Sequence, residues 1–101
     1  MNFDQIKQAR ELKSRMDKIQ KEMEKTIVEG DGGKGMVTVT LTGQMKVKSV
    51  KIDPSMLDPK NEKKLEEFVQ KAIADAIDKS QKEAAKQLKE LTGGLKIPGL
   101  F

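Results

Sequence analysis

Apolar residues at positions 9, 12, 16, 19 and 23 (Ala9, Leu12, Met16, Ile19 and Met23) recur at alternating spacings of three and four. That is the a/d stripe of a heptad helix, and no glycine or proline interrupts it, so the pattern predicts a helix over 3–25 with Asn2 as N-cap and Gln5 at N3. The period then changes. "TIVE" (26–29) is β-branched, and "GDGGKG" (30–35) reads as a flexible hairpin loop. "MVTVTLTG" (36–43) alternates, with Val37, Val39 and Leu41 on one face and Thr38, Thr40 and Thr42 on the other. After a short turn at Gly43-Gln44, "MKVKSVKID" (45–53) predicts a third strand of odd parity. Met45 and Val47 share one face, Val50 and Ile52 the opposite one. Either a bulge falls near Ser49, or both faces of the sheet are apolar and one of them meets a partner chain.

"DPSMLDP" breaks the sheet, and Asp58-Pro59 supplies an N-cap followed by proline at the first helical position. The apolar positions Leu65, Phe68, Val69, Ala72, Ile73, Ala76, Ile77, Ala84, Leu88 and Leu91 carry a long helix to about Leu91, with Gly93 suited to end it. The expected fold is α+β: helix, three-stranded antiparallel sheet, long helix, as one domain over 1–92 with an apolar tail at 93–101. Length adds an argument. The first helix would be ~35 Å long and the last ~48 Å, against ~23 Å for a seven-residue strand. Neither helix can bury its whole stripe on its own sheet. The surplus protrudes or meets a second copy, and a homodimer with protruding helical arms is the expected assembly.

Composition narrows the chemistry. The chain has 101 residues, 36% of them charged, with no cysteine and no histidine. The usual thiolate, imidazole and metal-ligand chemistries are therefore unavailable, and neither a cofactor nor a metal is called for. No apolar run approaches the ~18 residues of a membrane span, and "MNFDQIKQ" lacks the layout of a signal peptide, so the expected compartment is the cytoplasm. Gly30, Gly32 and Gly35 spell G-x-G-x-x-G, but they open a strand rather than the helix whose N-terminus would receive a pyrophosphate. Glu66/Glu67 and Asp75/Asp78 sit among lysines and read as surface pairing partners. Nothing assembles into a catalytic constellation, so an enzyme is not expected.

The net charge is +4, and the basic residues of the first helix are not spread evenly. At about 100° per residue, Lys7, Arg10, Lys18, Lys21 and Lys25 fall within roughly 80° of one another, opposite the apolar stripe. Asp4, Glu11 and Glu22 flank one edge, Asp17 and Glu24 the other. Two readings are open: a solvated face of ion pairs, or a ridge that tracks phosphates. No aromatic residue interleaves the row, so base stacking is not supported. Lysine outnumbers arginine and binds phosphate as a point charge, which favours reading the backbone over reading the sequence.

The run "VEGDGGKGMVTVTLTGQMKVKSVKIDPSMLD", the heptad helix before it, the long helix after it and the terminal "PGLF" resemble the YbaB/EbfC family of bacterial nucleoid-associated proteins. The resemblance covers nearly the whole chain. It implies a small homodimer in the bacterial cytoplasm and nucleoid, bound to duplex DNA with limited sequence preference, its helices projecting from a joined β core. The segment before the first helix, often rich in Gly and Met in that family, is nearly absent here, so no contact transfers from it.

The residues expected to meet DNA are Lys7, Arg10, Lys18, Lys21 and Lys25, with Lys79, Lys82 and Lys86 of the last helix as secondary candidates. Those expected at the dimer interface are Val37, Val39, Leu41, Val50, Ile52, Leu100 and Phe101, the last two in the apolar tail. A second reading is a protein–protein adaptor whose charged arms hold a replication or recombination factor.

Overall fold

Two glycines in a strand fix how the long helix meets the sheet. The structure, a computed structural model, describes residues 3–92. Its elements are α1 (Phe3–Lys25), β1 (Ile27–Gly32), β2 (Val37–Thr42), β3 (Val47–Ile52), single 3-10 turns at Pro54–Met56 and Pro59–Asn61, and α2 (Glu62–Thr92). The strands pair antiparallel in the order β1-β2-β3. The expected α+β order is therefore the observed one. The Asn2 cap, Gly93 and the apolar tail lie outside the described residues.

The glycine-rich stretch is not the loop that its composition suggests. Gly30, Asp31 and Gly32 continue β1, pairing with Val39, Thr38 and Val37, and only Gly33–Met36 form the turn. The physical reason lies on α2. A Cβ on Gly30 would overlap the Ala72 carbonyl and come within 2.6 Å of the Ala76 Cβ, and one on Gly32 would overlap the Phe68 carbonyl. Small residues recur on the helix at the same contact: Ala72, Ala76 and Ser80, each fully buried, are spaced by four and so share a face. Backbone thus packs on backbone. Val37, Val39 and Leu41 fill the rest of the core, with Val28, Leu65, Phe68, Val69 and Ile77 around them. Within the turn Gly33, Lys34 and Gly35 all take positive φ (68°, 55° and 88°), and the Asp31 carboxylate accepts the Gly35 N–H at 2.6 Å.

The odd parity of β3 comes from a bulge. Thr40 pairs with Ser49 but Leu41 with Val47, which leaves Lys48 without a partner. Directly paired residues share a face, so Val47, Val50 and Ile52 lie on the same side as Leu41, Val39 and Val37. The alternative of two apolar faces is corrected accordingly. The sheet has one apolar face and one polar face, the latter carrying Thr38, Thr40, Ser49 and Lys51.

Helix α2 lies over β1 and β2 and leaves β3 largely uncovered. Its Asp75–Lys79 flank caps the outer edge of β1: Asp75 accepts the Asp31 N–H at 3.0 Å, Lys79 donates to the Glu29 carbonyl at 3.0 Å, and the two side chains pair at 3.1 Å. The opposite flank, with Val69, Ile73 and Ile77, therefore faces the β3 side. Two Asp-Pro steps turn the chain from β3 into α2. Asp53 accepts the Ser55 N–H and Asp58 the Lys60 N–H, each at 2.9 Å, so α2 itself starts at Glu62, three residues after the proline expected to open it. The described chain measures 68 × 23 × 18 Å with a radius of gyration of 19.1 Å, against about 13 Å for a compact chain of this size. The two helices, of 23 and 31 residues, are longer than the six-residue strands they flank.

Candidate nucleic-acid interface

Helix α1 is anchored at one end. The Gly43 N–H donates to the carbonyls of Met23 (2.9 Å) and Thr26 (3.0 Å), and the Gln44 side chain donates to the Gln20 carbonyl at 3.2 Å. Gln87 of α2 reaches the Thr26 hydroxyl at 3.1 Å. These ties to the sheet and to α2 fall at Gln20 and beyond, and no residue of α1 is buried. Even Leu12 and Ile19 of the heptad stripe are only part-buried, and Met16 is exposed. The helix is an arm, and its charged face is open to solvent along its length.

The five basic residues expected on that face, Lys7, Arg10, Lys18, Lys21 and Lys25, are all exposed. Among the described residues none of them is in an ion pair; the pairs are Lys71–Glu67, Lys79–Asp75 and Lys82–Asp78, all on α2. Arg10, Lys18 and Lys21 line one shallow concavity of about 470 Å³ together with Lys13, Ser14 and Asp17. Lys13 and Ser14 are not part of the basic row expected from the sequence, although Ser14 lies midway around the arc between Arg10 and Lys18 on a helical wheel. Lys7 and Lys25 fall in the same row on the helical wheel but do not line that concavity.

The secondary candidates differ from the arm. Lys79 is held by Asp75 and the Glu29 carbonyl. Lys82 pairs with Asp78 at 2.9 Å, and the hydrogen bond and charge of that carboxylate push the ammonium above the ordinary lysine range. Lys86 is exposed and in no ion pair among the described residues. A DNA phosphate would have to displace a carboxylate from Lys79 or Lys82, but not from the arm.

The residues expected at a dimer interface separate into groups. Val37, Val39 and Leu41 are 0%, 2% and 4% exposed, covered by their own helix. Val50 and Ile52 remain 52% and 37% exposed on the same face, beside Val47 at 66%, and Ile73 of the facing α2 flank is 44% exposed. Leu100 and Phe101 lie outside the described residues. No group of three or more His, Cys, Asp or Glu placed to hold a metal ion occurs among the described residues, and no helix there is long and apolar enough to cross a membrane.

The order of helix, three-stranded sheet and long helix recurs among known proteins. The family model of the YbaB/EbfC DNA-binding family matches residues 1–95. The chain belongs to this family. A nucleoid-associated protein of Afipia carboxidovorans is 42% identical over 95 residues, covering 94% of this chain and 90% of the relative. One from Dictyoglomus turgidum is 39% identical over 100 residues, covering 98% and 96%. The crystal structure of the uncharacterized protein HP0035 from Helicobacter pylori superposes with a TM-score of 0.64 at 22% identity, over 94% of this chain and 97% of that one. The YbaB/EbfC fold is thus shared at low identity, whereas the name nucleoid-associated accompanies the relatives near 40%.

Proposed function

We propose that this YbaB/EbfC protein is a nucleoid-associated homodimer that binds duplex DNA through backbone contacts, with little sequence preference. The observation that carries the reading is the free basic face of the α1 arm, with Arg10, Lys18 and Lys21 around one concavity and no carboxylate paired to them among the described residues. Lysines free of partners release condensed counterions when they meet phosphates. They carry no fork geometry for base edges, so they position without specifying. Lys7 and Lys25 extend the row, and Lys86 is the α2 residue best able to join it. The relatives named nucleoid-associated support a place on the bacterial nucleoid, in the cytoplasm. The dimer reading rests on Val47, Val50, Ile52 and Ile73, which are apolar and face a flank that one chain leaves open.

The test is a binding titration on unrelated duplexes at several salt concentrations. Log affinity is expected to fall linearly with log salt, at about 0.9 per phosphate contact, with closely similar constants on every sequence. Arg10→Glu/Lys18→Glu/Lys21→Glu should weaken binding to all of them alike while the fold persists. Absence of duplex binding by the wild type would sink the reading and leave the protein–protein adaptor in its place.

A further inference from the structure

The end of α1 and the start of β3 enclose a second concavity, of about 510 Å³, that the arm does not explain. Its walls include Lys25, Lys46 and Lys48, with Gln44 and one acidic residue, Glu24. Three lysines thus line the groove against a single acidic residue, and among the described residues none of the three is in an ion pair. No acidic residue occurs from Gly43 to Ile52 to neutralise the strand. Like charges gathered around one groove repel, and an anion between them relieves that repulsion.

The groove is also rigidly built. The Thr42 hydroxyl accepts the N–H groups of both Gln44 and Lys46 at 3.2 Å, the Thr42 N–H donates to the Lys46 carbonyl at 2.8 Å, and the Met45 N–H donates to the Thr42 carbonyl at 2.9 Å. Gly43 is tied to Met23 and Thr26, and the buried Ser80 hydroxyl donates to the Thr42 carbonyl at 3.1 Å. The α1 end, the β2–β3 turn and α2 are therefore fixed to one another at this point. Two irregularities sit within the same short stretch. Met45 takes φ 64°, a left-handed conformation that is uncommon for a side chain of its size. Lys48 is the unpaired residue of the bulge, and bulges re-aim side chains. One deviation immediately precedes Lys46 and the other falls on Lys48.

We propose that this groove is a phosphate-binding site, in which Lys25, Lys46 and Lys48 grip the backbone of the duplex that lies along α1. The inference rests on the reading of α1 as a DNA-binding arm and deepens it. Lys25 belongs to both surfaces: it ends the basic row of α1 and lines the groove. The row therefore continues from the arm onto the sheet, and a nucleic-acid backbone is a polyanion long enough to occupy both.

The experiment compares salt titrations of the full-length wild type, Lys46→Ala/Lys48→Ala and Lys18→Ala/Lys21→Ala on the same unrelated duplexes, with thermal melting of each protein as the fold control. The groove variant is expected to melt like the wild type and bind every duplex more weakly, with the slope of log affinity against log salt reduced by about 1.8 for two lost contacts. Lys46→Arg/Lys48→Arg should restore the slope. A groove variant with the wild-type slope, beside an arm variant whose slope is reduced, overturns the groove and leaves the arm standing. A wild type that binds no duplex overturns both.

Discussion

Asp75 of α2 accepts the backbone N–H of Asp31 at 3.0 Å, although the two residues are 44 apart in sequence. That N–H would otherwise point out of the free edge of β1, the kind of group that invites pairing with another chain. The hydrogen bond from Asp31, and next the one from Lys79, hold the Asp75 carboxyl below its ordinary range. A carboxyl whose folded pKa is depressed contributes stability that is fully present above its unfolded value, near 3.9, and is lost as pH falls through the folded value. Denaturation followed from pH 7 downward should therefore show the wild type and Asp75→Asn differing most at neutral pH. The gap should close below pH ~4. A gap that stays constant through the acid range would mean the contact contributes nothing through its charge.

The glycines of β1 and of its turn should respond differently to the same methyl group. Gly32→Ala drives a Cβ into the Phe68 carbonyl and to 3.1 Å from the Ala72 N, so α2 must lift off the sheet. Overpacking of this kind costs about 1–3 kcal/mol, and more where backbone meets backbone. Gly35 takes φ 88° with nothing within 4 Å of an added Cβ. Gly35→Ala should cost only the left-handed penalty of about 1–2 kcal/mol. Urea denaturation midpoints should rank Gly32→Ala well below Gly35→Ala. Equal midpoints would contradict the direct packing of helix on strand.

That contrast also shows where the sequence was readable. The period of α1 set its limits because Ala9 to Met23 repeat without a break, and a heptad stripe is a local signal. The strand at Gly30–Gly32 was hidden, since glycine announces a turn in every local scheme. Its reason here is the contact with Phe68, Ala72 and Ala76 of a helix that follows two strands later. The bulge at Lys48 was one of two explanations for the parity of β3, and only the pairing of Leu41 with Val47 separates them. The arm's basic row was legible from the helical wheel alone. The groove at Lys46 and Lys48 was not, because two lysines alternating on an edge strand look like ordinary protection of that edge. Nor does any sequence pattern bring them beside Lys25.

Ser80 offers a test of the junction that holds the arm. It is fully buried, and its hydroxyl donates to the Thr42 carbonyl at 3.1 Å. Ser80→Ala keeps the small volume and removes one hydrogen bond, for a loss of about 0.5–1.5 kcal/mol. Ser80→Leu fills space that is not there and should cost more. If thermal melting shows the leucine variant as stable as the alanine one, α2 does not pack here as tightly as its burial indicates.

The last prediction concerns two valines that are cross-strand partners. Val39 and Val50 pair directly and share one face of the sheet, yet Val39 is 2% exposed and Val50 52%. The difference arises because α2 covers β2 and stops short of β3. An unpaired carboxylate at Val39 would sit in the core, where its burial costs several kcal/mol, so Val39→Asp should unfold the chain. The same carboxylate at Val50 meets water in a single chain and should leave the helical content of that chain intact. If a second copy covers Val47, Val50, Ile52 and Ile73, Val50→Asp places a charge in that contact instead. Sedimentation at micromolar concentration should then show a dimer for the wild type and a folded monomer for Val50→Asp, with the far-ultraviolet dichroism of the two alike. A dimer of unchanged stability in the variant would place the contact elsewhere, and the exposed valines of β3 would need another partner.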